Sequence, residues 1–289
     1  MQLQSISKAD KSIRKALSLT GMKDKVVIIT GGSSGIGKAC AEVFGKNGAK
    51  IVITGRNKVN LDEAALLLRS IGITVLAIQA DSAKEEDNEM LVNETLNVFG
   101  KIDILINNAG ISMRALFTDA DLSVLKKVMD INFYGTVYAT KYALPEIIKN
   151  SGSVVGVSSI AGSIGLPGRT GYSASKFAMN GFLEALRVEL LNKNVHVLVA
   201  CPGFTTSNIR NTSLSKDGTI IGESSMDEGK MMSAEEVAVS IYKAVEQRKR
   251  DLVLTSQGKS TIFLKKFFPG LIDKVVFNHI SKEKDSPLK

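Results

Sequence analysis

Residues 25–37 read KVVIITGGSSGIG. An unbroken Val/Ile run breaks into glycines and then, from Ile36, into a helical pattern. A strand buried on both faces carries such a continuous apolar run. Glycines permit a tight turn and let the backbone approach an anion without side-chain obstruction. The helix that starts there offers unpaired N–H groups and the positive end of its dipole. A glycine cluster alone could be a plain turn. Following the first strand of a βαβ unit, the G-x-x-x-G-x-G spacing predicts a dinucleotide-phosphate cradle built by Thr30, Gly31, Ser33, Ser34, Gly35, Ile36 and Gly37.

Outward from this loop the same alternation repeats. Apolar runs at Lys50–Thr54, Thr74–Gln79, Ile102–Ile106, Ser153–Ser158 and Val195–Ala200 read as further strands. Helical patterns separate them at Ile36–Asn47, Val59–Ser70, Glu85–Phe99, Leu122–Phe133, Val137–Lys149 and Tyr172–Asn192. Strands alternating with helices, joined by right-handed crossovers, predict a single-domain α/β Rossmann fold. The expectation is a doubly wound, seven-stranded parallel sheet with helices on both faces. No repeat, Pro-rich linker or second domain interrupts the 289 residues. The chain divides into a basic N-terminal arm (1–21), a nucleotide-binding catalytic domain (22–255) and an amphipathic basic extension (256–289).

The net charge of +8 does not lie in the body of the sequence. Residues 1–25 contribute +4 and residues 243–289 contribute +6, leaving the rest slightly acidic. That distribution describes solvated ends rather than a basic groove, and excludes a nucleic-acid partner. Two cysteines, Cys40 and Cys201, are too few for a disulfide framework and fit a reduced, cytoplasmic protein. No segment approaches the roughly 20 apolar residues that span a bilayer. With only His196 and His279 and no Cys/His cluster, no metal site is expected, and His196 reads as a core histidine.

Two further stretches carry chemistry. An NAD site commonly places an acid on the ribose 2′-hydroxyl about 20 residues past the loop. Here the second strand ends in Thr54-Gly55-Arg56-Asn57, with an arginine and no acid. A guanidinium suits a 2′-phosphate, so the expected cofactor is NADP(H), with Arg56 as its reader. Tyr172-Ser173-Ala174-Ser175-Lys176 opens a helix, and positions i and i+4 share a face. A phenol with a pKa of roughly 10 is a poor base at neutral pH, and a neighbouring ammonium favours its anion.

Together TGGSSGIG (30–37), NNAG (107–110), DINFYG (130–135), VSSIAG (157–162), YSASK (172–176) and CPG (201–203) follow the order seen in short-chain dehydrogenases/reductases. The chain resembles that family over about residues 22–255. The stretch YSASKFAMNGFLEALRVEL (172–190) is similar to its hydroxysteroid dehydrogenase and ketosphinganine reductase-like branch. The resemblance implies hydride transfer between the nicotinamide and a carbonyl or secondary alcohol. It implies a tetrad of Asn132, Ser159, Tyr172 and Lys176. Tyr172 would exchange the proton, Lys176 would tune it and bind the nicotinamide ribose, Ser159 would polarise the carbonyl, and Asn132 would anchor a relay water. The residues alone do not choose between Ser158 and Ser159. The resemblance also implies that Asn108 and Ala109 flank the adenosine ribose, Asp81 and Ser82 contact adenine, and Pro202, Gly203 and Thr205 abut the nicotinamide.

Residues 204–232 read as a substrate lid, polar and Gly/Ser-rich with Phe204, Ile209, Ile220, Ile221, Met226, Met231 and Met232 interspersed. With Met113, Phe117, Ile164 and Leu166 they predict an apolar pocket for a lipid- or steroid-like small molecule. Thr261–Ile280 carries four phenylalanines, divided by Pro269 into two amphipathic pieces. They read as a dimer contact or core cover, or as a peripheral membrane contact through 258–280. A homodimer or homotetramer is expected. A non-catalytic NADPH-binding regulator is the rival function, which loss of Tyr172 or Lys176 would have supported. An extended-family epimerase or dehydratase would show TGxxGxxG and a larger C-terminal domain.

Overall fold

The computed structural model describes residues 21–206, 209, 211–222, 231–283 and 286–289. Apart from Gly21, the expected N-terminal arm lies outside the described residues, as does Met226 of the expected lid.

Seven strands form one sheet: β1 (Val26–Ile29), β2 (Lys50–Gly55), β3 (Val75–Gln79), β4 (Ile104–Asn107), β5 (Ser153–Val157), β6 (His196–Cys201) and β7 (Asp251–Val253). Every pairing is parallel, in the order β3-β2-β1-β4-β5-β6-β7. Helices α1 (Gly35–Lys46), α2 (Lys58–Ser70), α3 (Glu85–Phe99), α4 (Leu122–Met129), α5 (Gly135–Lys149), α6 (Thr170–Glu189) and α7 (Ala234–Glu246) connect them. Two more, α8 (Ser256–Lys265) and α9 (Pro269–Ile280), follow the last strand.

Strand β1 explains the continuous apolar runs, because all four of its residues are buried. Alternation sends Val27 and Ile29 into a cluster with Phe44 of α1, Leu61 of α2 and Ile241 of α7. It sends Val26 and Ile28 into another with Leu91 of α3, Ala143 of α5 and Leu183 of α6. Each such side chain contributes about 1.5–3 kcal/mol on full burial. Both faces of the sheet are therefore covered. From β1 the chain winds outward to β3, then returns to β4 and proceeds the other way. Such a reversal opens a crevice at the carboxyl ends of β1 and β4.

Strand β7 eludes the apolar pattern because it is three residues long and follows Arg248-Lys249-Arg250. Polar side chains fix it instead. Arg187 of α6 donates to the Val197 and Arg250 carbonyls and to the Asp251 carboxylate. His196 is buried, its ring bonded to Ser153 Oγ and to the Lys249 carbonyl oxygen. The two helices expected at 122–133 and 137–149 are one rod, with Asp130–Tyr134 forming a π-helical turn between α4 and α5.

The described part of the expected lid is folded. Thr205–Thr206 pairs with Met232–Ser233. Leu214 bridges Met113 on one side and Ile220 on the other, and is buried with Met113, Val124 and Val128. Its N–H donates to the Ser112 carbonyl, and its own carbonyl accepts from the Arg114 N–H.

Candidate active site

At the end of β1 the buried Thr30 turns the chain toward α1. Its hydroxyl oxygen accepts the N–H groups of Asn108 and Ala109 at 3.0 Å each. The Asn108 amide in turn donates to the Thr30 and Gly31 carbonyls at 3.0 and 3.1 Å. The loops after β1 and β4 are thus laced together at the crevice. Gly31 and Gly35 hold left-handed φ angles of 64° and 52°. A Cβ on Gly37 would lie 2.3 Å from the Gly31 carbonyl oxygen. Ser34 precedes α1 in an extended conformation without making a side-chain capping bond, and the first turn carries no acid. An anionic group therefore fits this helix start.

A cleft of about 1270 Å³ is lined by Gly31, Ser33, Ser34, Gly35, Ile36, Arg56, Asp81, Ser82, Asn108, Ala109, Ser159, Tyr172, Lys176, Pro202, Gly203 and Thr205. Thr30, Gly37 and Asn132 lie outside its lining. Thr30 and Gly37 shape the loop from behind, and Asn132 is fully buried. Asn108 also spends its side-chain amide on the loop rather than presenting it to the cleft. Among the described residues the charged lining consists of Arg56, Arg114, Lys127, Arg169 and Lys176 against one carboxylate, Asp81. Arg114 and Arg169 lie against the Glu283 carboxylate, and the remaining surplus of Arg56, Lys127 and Lys176 favours an anionic ligand. Arg56 is exposed beyond β2 and forms no ion pair among the described residues. A Cβ on Gly55 would approach Ser33 Oγ to 3.0 Å, so Ser33 lies against the end of β2 that carries Arg56.

Helix α6 starts two residues earlier than the pattern indicates, at Thr170, and places Tyr172 and Lys176 one turn apart. Lys176 Nζ lies 5.9 Å from the Tyr172 ring centroid. It is buried and donates to the Val157 carbonyl at 2.9 Å. Burial pushes the Lys176 ammonium down to about 8, since desolvation disfavours the charged form. The neighbouring serines differ. Ser158 is buried, its hydroxyl 3.5 Å from the Lys176 carbonyl. Ser159 is partly exposed and accepts the Ala161 N–H at 3.1 Å, which leaves its own proton to donate.

The π-helical turn carries Asn132. Its Oδ1 accepts the Ile111 N–H at 2.8 Å, and its Nδ2 donates to the Ile111 carbonyl and to Ser175 Oγ, both at 2.9 Å. These bonds clamp the segment following NNAG against α6. A Cβ on Gly110 would sit 3.2 Å from Asn132 Oδ1 and 3.5 Å from Lys176 Nζ. Gly110 thus keeps open a space between the two, a role that the motif alone does not reveal.

Other residues escaped the sequence reading. Glu283 accepts from Arg169 at 2.8 Å and lies 4.0 Å from Arg114, all three nearly buried. Arg169 and Glu283 are 114 positions apart, so no local pattern announces the pair. Of the expected apolar pocket, Leu166, Phe204, Ile209, Ile220 and Ile221 line the cleft. Met113 and Ile164 are buried in the packing, whereas Phe117 is 60% exposed. Among the described residues no group of three or more His, Cys, Asp or Glu could hold a metal ion, and no helix is long and apolar enough to cross a membrane.

Residues 25–218 match the sequence profile of the short chain dehydrogenase family. Dehydrogenase/reductase SDR family member 7B of Mus musculus is 36% identical over 280 residues, covering 95% of this chain and 87% of that protein. The 11-beta-hydroxysteroid dehydrogenase 1A of Arabidopsis thaliana is 34% identical over 271 residues, covering 91% of this chain and 77% of that one. A short chain dehydrogenase/reductase from Burkholderia phymatum, solved in complex with NAD, superposes with a TM-score of 0.77 at 22% identity, covering 86% of this chain and 95% of its own.

Proposed function

The chain belongs to the short-chain dehydrogenase/reductase family of oxidoreductases, and from that premise we propose that it is an NADP(H)-dependent enzyme interconverting a hydrophobic carbonyl compound and its secondary alcohol. One observation carries the reading: Ser159, Tyr172 and Lys176 line the same cleft as the glycine loop. A bound nicotinamide supplies or accepts the hydride; the chain's own residues handle the proton and the oxygen. Tyr172 Oη gives its proton to the carbonyl oxygen during reduction and takes it back during oxidation. The Ser159 hydroxyl donates to the same oxygen and stabilises the charge that develops there. Lys176 holds positive charge beside Tyr172. The space over Gly110 suits a water joining Asn132 Oδ1 to Lys176 Nζ, through which Tyr172 regains its proton. Asn132 acts here as a positioning residue.

Arg56, Ser33 and the absence of an acid at the end of β2 support a 2′-phosphate, although the Burkholderia relative holds NAD. The apolar lining supports a hydrophobic substrate, in keeping with the steroid in the Arabidopsis relative's name. Reduced cellular NADPH pools favour the direction of carbonyl reduction. In the same reading the enzyme is cytoplasmic and a homodimer or homotetramer. A non-catalytic regulator would need a disabled proton donor, whereas Tyr172 and Lys176 both reach the cleft.

Michaelis constants for both cofactors, measured across a carbonyl panel, test the assignment. NADPH is expected to be preferred by about tenfold or more, and Arg56→Asp to erase most of that preference. A clear preference for NADH, or turnover confined to small hydrophilic sugars, would contradict it.

A further inference from the structure

We propose that the α8–α9 hairpin is a docking surface for an anionic lipid bilayer, holding the cleft mouth at the membrane interface. The surface itself stands independently of the oxidoreductase reading. Only its purpose, admitting a lipophilic substrate from the bilayer, rests on that reading.

The hairpin leaves its large apolar side chains outside. Phe263, Phe267, Phe268, Leu271, Val275 and Phe277 are 48–63% exposed, while α9 turns only Ile272 and Ile280 fully inward. The Phe263 and Phe267 rings touch, with centroids 5.3 Å apart. Leu271 and Val275, four positions apart, share a helix face. A cluster of this kind marks an interaction site rather than ordinary surface.

Charge selects the occupant. Residues 256–282 contain five lysines and one acid, Asp273. Lys259, Lys266, Lys274 and Lys282 are exposed and form no ion pair among the described residues. Lys265 is used differently, donating to the Ser163 carbonyl at 2.8 Å and lying over the Phe177 ring. A two-fold contact between copies would bring equal positive patches face to face. An anionic leaflet attracts each lysine near its surface by about 1 kcal/mol while its interfacial region accepts aromatic rings.

The hairpin is also fixed relative to the cleft. His279 of α9 stacks on Phe204, a lining residue, with ring centroids 5.8 Å apart. Gly258 of α8 packs on Ile160, next to Ser159. These contacts tie the exposed hairpin to the wall of the cleft.

Co-sedimentation of the full chain with phosphatidylcholine vesicles, with and without about 30% phosphatidylserine, provides the test. The wild type is expected to bind the anionic vesicles roughly tenfold more tightly, with binding falling as salt rises. The exposed double substitutions Phe267→Ser/Leu271→Ser and Lys266→Glu/Lys274→Glu should each weaken binding about tenfold. Turnover of a water-soluble carbonyl should stay unchanged in both, which confirms folding. Equal binding to both vesicle types, equal binding by both variants, or a dimer that Phe267→Ser/Leu271→Ser dissociates would overturn the proposal. None of those results would touch cofactor use or the role of Tyr172.

Discussion

Lys176 presents the sharpest conflict at the scale of a residue. In the proposed mechanism its amine works as a cation, yet the fold buries it against the Val157 carbonyl, where desolvation lowers its pKa to about 8. The sign follows directly. The ammonium is the low-pH form, so charge beside Tyr172 is present below about 8 and is lost as pH rises through that value. The kcat/KM for carbonyl reduction should fall roughly tenfold per pH unit above this region, in a stopped assay with saturating NADPH. A flat profile to pH 10 would show that the lysine charge does not matter. Legibility at this scale was uneven. Spacing puts Tyr172 and Lys176 on one helix face and charge singles out Arg56, but the catalytic roles come only with the family resemblance. Residue chemistry alone does not separate Ser159 from Ser158; the resemblance names Ser159, and the backbone turns Ser158 inward while Ser159 caps Ile160–Gly162.

The glycine loop and α1 act as one element. Thr30 and Asn108, named for cofactor contact, spend their polar atoms on fastening the loop after β1 to the loop after β4. Gly37 belongs to the same scaffold. Its α-carbon packs so closely on the Gly31 carbonyl that Gly37→Ala must displace backbone rather than a mobile side chain. That substitution is expected to cost about 1–3 kcal/mol in stability and to weaken NADPH binding at least tenfold, read by urea titration and by fluorescence of the bound dinucleotide. Unchanged affinity would place the phosphate elsewhere. Six strands announced themselves because burial on both faces demands unbroken Val/Ile runs. Strand β7 did not, because Arg187 and His196 hold it with polar bonds from distant elements. The π-helical turn at Asn132 was equally silent, since a helical period does not record one widened turn.

Across the whole molecule, the C-terminal extension is part of the folded body. Glu283 is buried between Arg169 and Arg114, and Pro287 packs on Gly168. Composition suggested an amphipathic, basic segment, but not that its far end returns to the wall of the cleft. Removing one member of a buried ion cluster leaves charge uncompensated, so Glu283→Ala should cost about 3–5 kcal/mol. Faster hydrogen exchange confined largely to 256–289 and 160–169 would show that loss, and an unaltered exchange pattern would deny the extension its anchoring role. The central claim concerns proton transfer in the cleft, and Tyr172→Phe probes it most directly by removing one oxygen from a partly exposed ring. Single-turnover NADPH oxidation with a reducible ketone, paired with NADPH affinity, is the measurement. The account predicts a rate lower by about 10²–10⁴-fold with affinity changed less than about threefold; a variant that turns over as fast as the wild type would contradict it.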